Sequence, residues 1–299
     1  MTDTTEADGP TDIPPRGWKD ILFAVKDEIA SDHVGLISAG VAFYGLLALF
    51  PAITALIAIS GLLITPSQIV DTLSGLQGLV PQNVMDIITS QAEAVAGSAD
   101  GGLGLTALIG LGLAIWSASK GVASLIEGLN VAYDEEETRG FVKLILIRLA
   151  LTVCAILGII VAILAVTILP AVLAILSLPA QVEWIGSIGT YAVLAIAVSL
   201  GMAVLYRFGP ARRAPSWRWL TPGAVAGTLL WMAASAGFAF YVANFASYTE
   251  SFGTLAGAVV LLMWFWISAY VILAGAELNN ETEKEAGEQP DTPDRADTF

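Results

Sequence analysis

Cysteine and histidine are almost absent from this 299-residue chain, which carries only Cys154 and His33. A single cysteine excludes a disulfide within the chain. With a single histidine beside it there is no Cys/His zinc set and no Cys–His nucleophilic pair. Cys154 is read as a small apolar packing residue and His33 as a hydrated side chain at the mouth of the first apolar stretch. The sequence also lacks a phosphate-binding glycine loop, a Ser–His–Asp set and a haem motif. No enzyme activity, metal or cofactor is therefore expected. Basic residues are scarce too, 13 Lys and Arg against 27 Asp and Glu, for a net charge of −14. Nucleic acid is excluded as a partner, because binding phosphates requires a basic face that this chain lacks.

What is abundant is apolar length. Hydrophobic residues make up 56% of the chain and charged residues 13%, about half the share of a soluble domain. The mean hydropathy is +0.75. Six apolar stretches run roughly from Leu36 to Ile64, Leu103 to Ile126, Leu144 to Leu169, Ile185 to Tyr206, Leu220 to Ala246 and Phe252 to Ala276. Each is long enough for a helix to cross about 30 Å of hydrocarbon. The reading is an all-α, polytopic integral membrane protein with six transmembrane helices.

The few cations are distributed one-sidedly. Arg16, Lys19 and Lys26 precede the first stretch, and Lys120, Arg139, Lys143 and Arg148 surround the second link. Arg207, Arg212, Arg213 and Arg218 bracket the fourth, and Lys284 and Arg295 follow the sixth stretch. The alternate links carry only acids, so the positive-inside rule places both termini in the cytoplasm of a multi-pass cell (inner or plasma) membrane protein. The polar first 32 residues give no sign of a cleavable signal peptide.

Most of the negative charge lies near the ends, where residues 1–32 hold eight acids and residues 277–299 another eight. Residues 1–16 and 280–299 are read as disordered acidic tails around a membrane domain over 17–279. So acidic an aqueous surface, with five lysines in the whole chain, suits a high-salt cytoplasm; ordinary solvated tails explain it equally well. The run Asp134–Glu137 is read as a solvated loop rather than a divalent-cation site.

Local signals add detail. Trp18, Ile21, Leu22, Val25 and Ile29 share one helical face, which predicts an interfacial helix along the inner leaflet. Pro51 predicts a kink or break in the first span. Two amphipathic stripes within 65–102 predict two short helices over the outer face, either a lid or a simple cap. Thr221 before Pro222 reads as an N-cap with proline at the first helical position, and the pairs Gly223/Gly227 and Gly253/Gly257 predict close packing of the last two spans.

The second span carries a polar stripe, in which Ser117, Lys120, Ser124, Glu127 and Asn130 fall on one helical face. An ionised lysine near the bilayer centre costs roughly 2.5–3.5 kcal/mol, so Lys120 should snorkel or face a partner or a wet cavity. One reading is a cavity in which Lys120 attracts an anion and Glu127 is its counter-charge. The other is that Lys120 snorkels to the inner interface and the serines pack between helices. Further candidates are Tyr44, Arg148 and Glu277, the last as a neutraliser of a basic group at the inner mouth. Arg207, Arg212, Arg213 and Arg218 are candidates for contact with lipid headgroups.

Several stretches resemble the YihY/BrkB membrane proteins, once labelled ribonuclease BN. They are Ala42-Phe43-Tyr44-Gly45-Leu46-Leu47-Ala48-Leu49-Phe50-Pro51, Trp116-Ser117-Ala118-Ser119-Lys120, Pro222-Gly223-Ala224 with Leu230-Trp231, and Phe252-Gly253-Thr254-Leu255 running to Gly275-Ala276-Glu277-Leu278-Asn279. The resemblance covers about Trp18 to Asn279, with Ala48 where many relatives have Ser and Phe252-Gly253-Thr254 where Tyr-Gly-Ser is usual. It implies a six-helix inner-membrane protein of unsettled role, commonly described as a transporter and linked to envelope lipids. The expected function is thus a transporter or flippase-like lipid handler, with membrane lipids as partners and an anionic or lipid substrate. The alternative is a non-transporting scaffold or envelope-assembly factor.

Overall fold

The computed structural model describes residues 10, 13–63, 103–175, 180–212, 217–245 and 254–286. Within them the chain forms seven α-helices: α1 (Pro15–Ser31), α2 (Val34–Leu63), α3 (Leu103–Ala132), α4 (Phe141–Ile175), α5 (Ala180–Phe208), α6 (Trp217–Phe245) and α7 (Thr254–Glu285). Five of these contain segments long and apolar enough to cross a membrane: Val34–Ala52, Leu108–Ala132, Phe141–Val161, Trp217–Ala243 and Gly257–Glu285. The fourth expected span falls on α5, whose described apolar part, Ala192–Phe208, is shorter. The expected helices within 65–102, and the turn between the last two spans with Gly253, lie outside the described residues.

The outward surfaces are apolar along the spans, with Leu108, Trp116, Leu146, Ile159, Ile196, Leu229 and Phe240 all exposed. In water such an area would drive aggregation, whereas in hydrocarbon it costs nothing. Cys154 shares this outward side of α4 and is exposed rather than packed.

Two compact units are present. One gathers α1, the end of α3 from Ile126, α4, α5, α6 as far as Met232 and α7 from Tyr270; the other gathers α2, α3 to Leu125, α6 from Ala233 and α7 to Ala269. In the second unit small residues set the helix spacing. A side chain at Gly45 would meet the Phe265 ring at 3.3 Å, and one at Gly121 would meet Tyr44 and the backbone of Gly45 at 3.7 Å.

Four local expectations change. The apolar face of α1 is divided: Ile21 and Val25 are buried with Ile13, packed by Trp18, Ile29 and Leu278 of α7, while Leu22 and Phe23 stay exposed. A protein surface thus takes most of the stripe that was assigned to the leaflet. At Pro51 the expectation of a kink or a break narrows to a kink, since α2 continues through the proline without a break. α6 begins at Trp217, a turn and a half before the expected start, so Pro222 lies inside it. Pro222 is the sixth residue of α6, past the four amides that lack an intrahelical partner at any helix start, so it removes the helical hydrogen bond that residue 222 would otherwise give to the Arg218 carbonyl. The Thr221 hydroxyl donates to the Trp217 carbonyl at 2.9 Å instead of capping, and the Gly223 amide is taken by Asn279 at 2.7 Å. Finally, α7 runs to Glu285, past the expected boundary at 279, because Asn280, Thr282 and Glu283 are buried against the protein rather than solvated.

Candidate functional site

The polar residues that converge lie at the C-terminal ends of α1, α3 and α7 and at the junction of α5 and α6, all within the first unit. α7 has 32 residues, about 48 Å at 1.5 Å per residue, so its last turns reach beyond a hydrocarbon core of about 30 Å. Polar side chains are affordable there only if they are buried with partners or reach water.

Asn279 is the hub. Its Oδ1 accepts the Gly223 amide at 2.7 Å, and its Nδ2 donates to the Tyr133 hydroxyl at 3.2 Å and the Leu220 carbonyl at 3.4 Å. This is possible because α6 and α7 touch at two glycines: a Cβ on Gly223 would overlap the Gly275 carbonyl oxygen, and one on Gly275 would overlap the Tyr206 hydroxyl. Tyr206, fully buried, donates to the Ile272 carbonyl at 2.8 Å. The expected close approach of the last two spans is therefore made by Gly223 with Gly275, while Gly227 faces Met202 of α5.

Arg212 forms the second tier. Its guanidinium makes a two-pronged pair with Glu283, at 2.6 and 3.2 Å, and lies 3.8 Å from the centroid of the Tyr133 ring. Both charged side chains are nearly inaccessible, at 6% and 5% exposure. Arg212 is therefore not a headgroup contact, contrary to the sequence expectation. Its loop is drawn inward instead: Asn130 accepts the Ala211 amide at 2.7 Å and donates to Glu137 at 3.2 Å. Burial pushes the Tyr133 phenol upward despite the nearby Arg212 charge. Arg207 stacks 4.6 Å from the Trp217 ring, Arg218 is exposed, and Arg213 lies outside the described residues.

Arg139, unremarked in the sequence beyond its charge, grips Glu137 at 2.6 and 2.7 Å and donates to the Gly209 carbonyl at 2.8 Å and the Phe208 carbonyl at 3.4 Å. It thus caps the C-terminal end of α5, where free carbonyls and the helix dipole favour a cation. The hydrogen bond from Arg139 holds the Glu137 carboxyl down at about 2.

The third tier is acidic. Glu277 is 1% exposed and its Oε1 is buried with no hydrogen-bond partner among the described residues. It faces Asp32, Glu28 and Asp134, with Lys284 the nearby cation. Lys284 is already engaged, with Asp134 at 3.0 Å and Glu281 at 2.5 Å. Among the described residues Glu277 pairs with no base, so it does not neutralise a cation as expected; carboxylates surround it. Burial, followed by the charges of Glu28 and Asp134, pushes the Asp32 carboxyl up, opposed by Lys284 and by hydrogen bonding with Glu277. The turns that carry these acids contain two left-handed non-glycine residues, His33 and Asp134, each with φ of 54°.

The stripe of α3 does not act as one group. Lys120 turns back towards the N-terminal end of its helix, its Nζ 5.0 Å from the ring of outward-facing Trp116. That direction, away from Glu127, follows from the tilt of helical side chains towards the N-terminus. Ser124 packs near Gly40 of α2, whose Cβ would lie 3.9 Å from its hydroxyl. Glu127 is exposed and Ser117 half-buried. Arg148, half-buried in α4, has its Nε buried without a partner among the described residues. Tyr44 sits edge-on to Phe43, 5.4 Å between centroids. An apolar cavity of about 290 Å³ in the second unit is lined by Ala39, Ala42, Leu262, Met263, Trp266 and Ile267, none of them a predicted site residue.

Comparison with known proteins is consistent with this picture. Residues 25–298 match the family described as virulence factor BrkB. A protein of Bacillus subtilis named ribonuclease-like protein YfkH is 31% identical over 253 residues, which cover 81% of this chain and 87% of that one. A UPF0761 membrane protein of Verminephrobacter eiseniae is 25% identical over 263 residues, 87% of this chain and 61% of its own length. No solved structure matches. A match over most of the length, on a helical chain with five spans of membrane length, gives the conclusion that this protein belongs to the BrkB family of membrane proteins.

Proposed function

We propose that this protein moves a lipid or another anionic substrate across the cell membrane, as a transporter or flippase-like protein that crosses six times with both termini in the cytoplasm. The sixth crossing would be α5. The observation that carries the reading is the set of ionisable side chains buried at the ends of long apolar helices, foremost Glu277, whose Oε1 has no hydrogen-bond partner among the described residues. Such groups are costly beside a membrane and mark substrate or ion pathways more often than inert packing. Exposed Arg218 and the stacked Arg207 and Trp217 would meet anionic headgroups, at about 1 kcal/mol per cation. RNA cleavage is the poorer reading, since one histidine and a strongly acidic chain offer no phosphate-binding face.

The test is flux in vesicles holding the purified protein, using a fluorescent anionic phospholipid and small organic anions. Transfer faster than in empty vesicles, slowed tenfold or more by Glu277→Gln, supports the proposal. Rates equal to empty vesicles for every probe overturn it. A scaffold role is the second reading, favoured by the packing of Ser124 near Gly40 and of Lys120 against Trp116.

A further inference from the structure

We infer that the outward face of α1 docks on anionic phospholipid headgroups, with Leu22 and Phe23 entering the leaflet and Arg16, Lys19 and Lys26 meeting the phosphates. This is not the face that the sequence assigns to the leaflet. That one, with Ile21 and Val25, is buried with Ile13 against Leu278 of α7. At 3.6 residues per turn, Leu22, Lys26, Lys19, Phe23 and Arg16 follow one another around a sector of about 120°, opposite the buried Gly17, Ile21 and Val25. All five are exposed, Leu22 to 61% and Phe23 to 57%. The acids Asp20 and Asp27 lie together at one margin, beside Arg16, so the sector itself carries three cations and no acid.

Charge and apolarity together select the occupant. Two large exposed apolar side chains favour hydrocarbon, while the cations around them favour a surface of opposite charge over its interior. The Lys19 Nζ lies 5.9 Å from the centroid of the Phe23 ring, so ring and charge are presented together, as in a side chain that snorkels at a membrane interface. Among the described residues none of the three cations enters an ion pair. The height along α7 fits as well. Leu278, on which α1 packs, lies about 32 Å of helix beyond Gly257, where the apolar span begins, and hydrocarbon is about 30 Å thick. α1 is thereby held at the level of the headgroups. A soluble polyanion would answer the cations and leave Leu22 and Phe23 in water, whereas an anionic leaflet takes both.

The docking does not depend on transport, and failure of every flux assay leaves it standing. The test places a nitroxide at Ala30→Cys, an exposed position in the same sector, in a Cys154→Ala background so that the label has one target. The full chain is reconstituted in nanodiscs of phosphatidylcholine, alone or mixed with phosphatidylglycerol. Collisions of the label with oxygen, which concentrates in lipid, are compared with those of a water-soluble nickel chelate. With phosphatidylglycerol the label should meet oxygen in preference to the chelate. The preference should fall in phosphatidylcholine alone, in salt of about 1 M, and in Lys19→Gln with Lys26→Gln, where docking weakens about fivefold for each lysine removed. Leu22→Gln with Phe23→Gln should return the label to the chelate in both membranes. Equal access to the chelate in both membranes of the otherwise native chain overturns the inference. So does access to neither reagent, which would mean that protein covers the face, and so does a lipid-like label that ignores both lipid charge and the lysines.

Discussion

The contact between Gly223 and Gly275 yields a graded prediction. A methyl group at Gly223 would overlap the Gly275 carbonyl oxygen and come within 2.6 Å of the Asn279 amide, so both the helix spacing and the Asn279 hydrogen bonds must give. Overpacking of this kind costs about 1–3 kcal/mol, and leaving the buried Gly223 amide unpaired costs about 1–3 more. Gly223→Ala should therefore lose roughly 2–6 kcal/mol. At Gly227 the nearest atom is the flexible Met202 sulfur at 3.0 Å, which can swing away, so about 1 kcal/mol or less is expected. At Gly237 nothing lies within 4 Å, so alanine should be neutral or stabilising by up to about 1 kcal/mol. Gly275→Ala meets the Tyr206 hydroxyl, so adding Tyr206→Phe should recover part of its cost, although Tyr206→Phe alone should lose about 1 kcal/mol with its bond to Ile272. The assay is equilibrium unfolding in mixed detergent micelles, followed by tryptophan fluorescence. If Gly223→Ala unfolds within about 0.5 kcal/mol of Gly237→Ala, the close approach is not real.

Two further predictions concern the charged tiers. Arg212→Met leaves the nearly inaccessible Glu283 without its partner and should cost about 3–5 kcal/mol, whereas Arg212→Met with Glu283→Leu should recover most of it; equal losses in single and double variants would show that the pair is not coupled. The carboxyl of Glu137 is held at about 2 against an ordinary 4.5, so its contribution is present above 4.5 and lost as pH falls from 4.5 towards 2. Because Glu137 is largely solvated this amounts to about 1 kcal/mol or less, and Arg139→Gln should flatten that limb of an acid-unfolding curve. An unchanged curve in the variant would sink the assignment.

The helices were legible because a span needs length and apolarity, and both are local properties. α3, α4, α6 and α7 each overlap an expected stretch, and even α1 was visible in its 3.6-residue stripe. The partners of polar residues were not legible, because they are fixed by chain separation rather than periodicity. Asn279 meets Gly223, 56 positions away, and Tyr133, 146 away. Arg212 was assigned with its three neighbours to headgroups, since a loop arginine beside a membrane looks alike whether it faces lipid or a buried Glu283. The end of α7 was misplaced for a related reason. Glu281, Glu283 and Glu285 read as a solvated tail until Arg212 and Lys284 are seen to hold two of them. One local signal was available and went unused: the spacing of Asn279, Asn280 and Glu283 against Leu278 and Thr282 continues the helix without a breaker.

Valence separates the polar groups of the first unit into two kinds. Asn279 uses both donors and its acceptor, Tyr206 donates its hydroxyl, Asn130 joins two loops, and Arg139 closes the end of α5. A polar network satisfied in this way fixes helix register and resists change, which is an architectural property. Glu277 belongs to a second kind: among the described residues its Oε1, like the Nε of Arg148 and of Arg212, is buried without a hydrogen-bond partner, and of the three only Glu277 is a carboxyl group, with 1% residue exposure. An orphaned buried oxygen costs about 1–3 kcal/mol. The intramembrane lysine that the sequence singles out rests against Trp116, an interaction worth about 0.5–2 kcal/mol and open to substitution by any long apolar side chain. Physical cost without local compensation therefore points to Glu277 rather than Lys120, and Glu277→Gln should slow flux into vesicles where Lys120→Met does not.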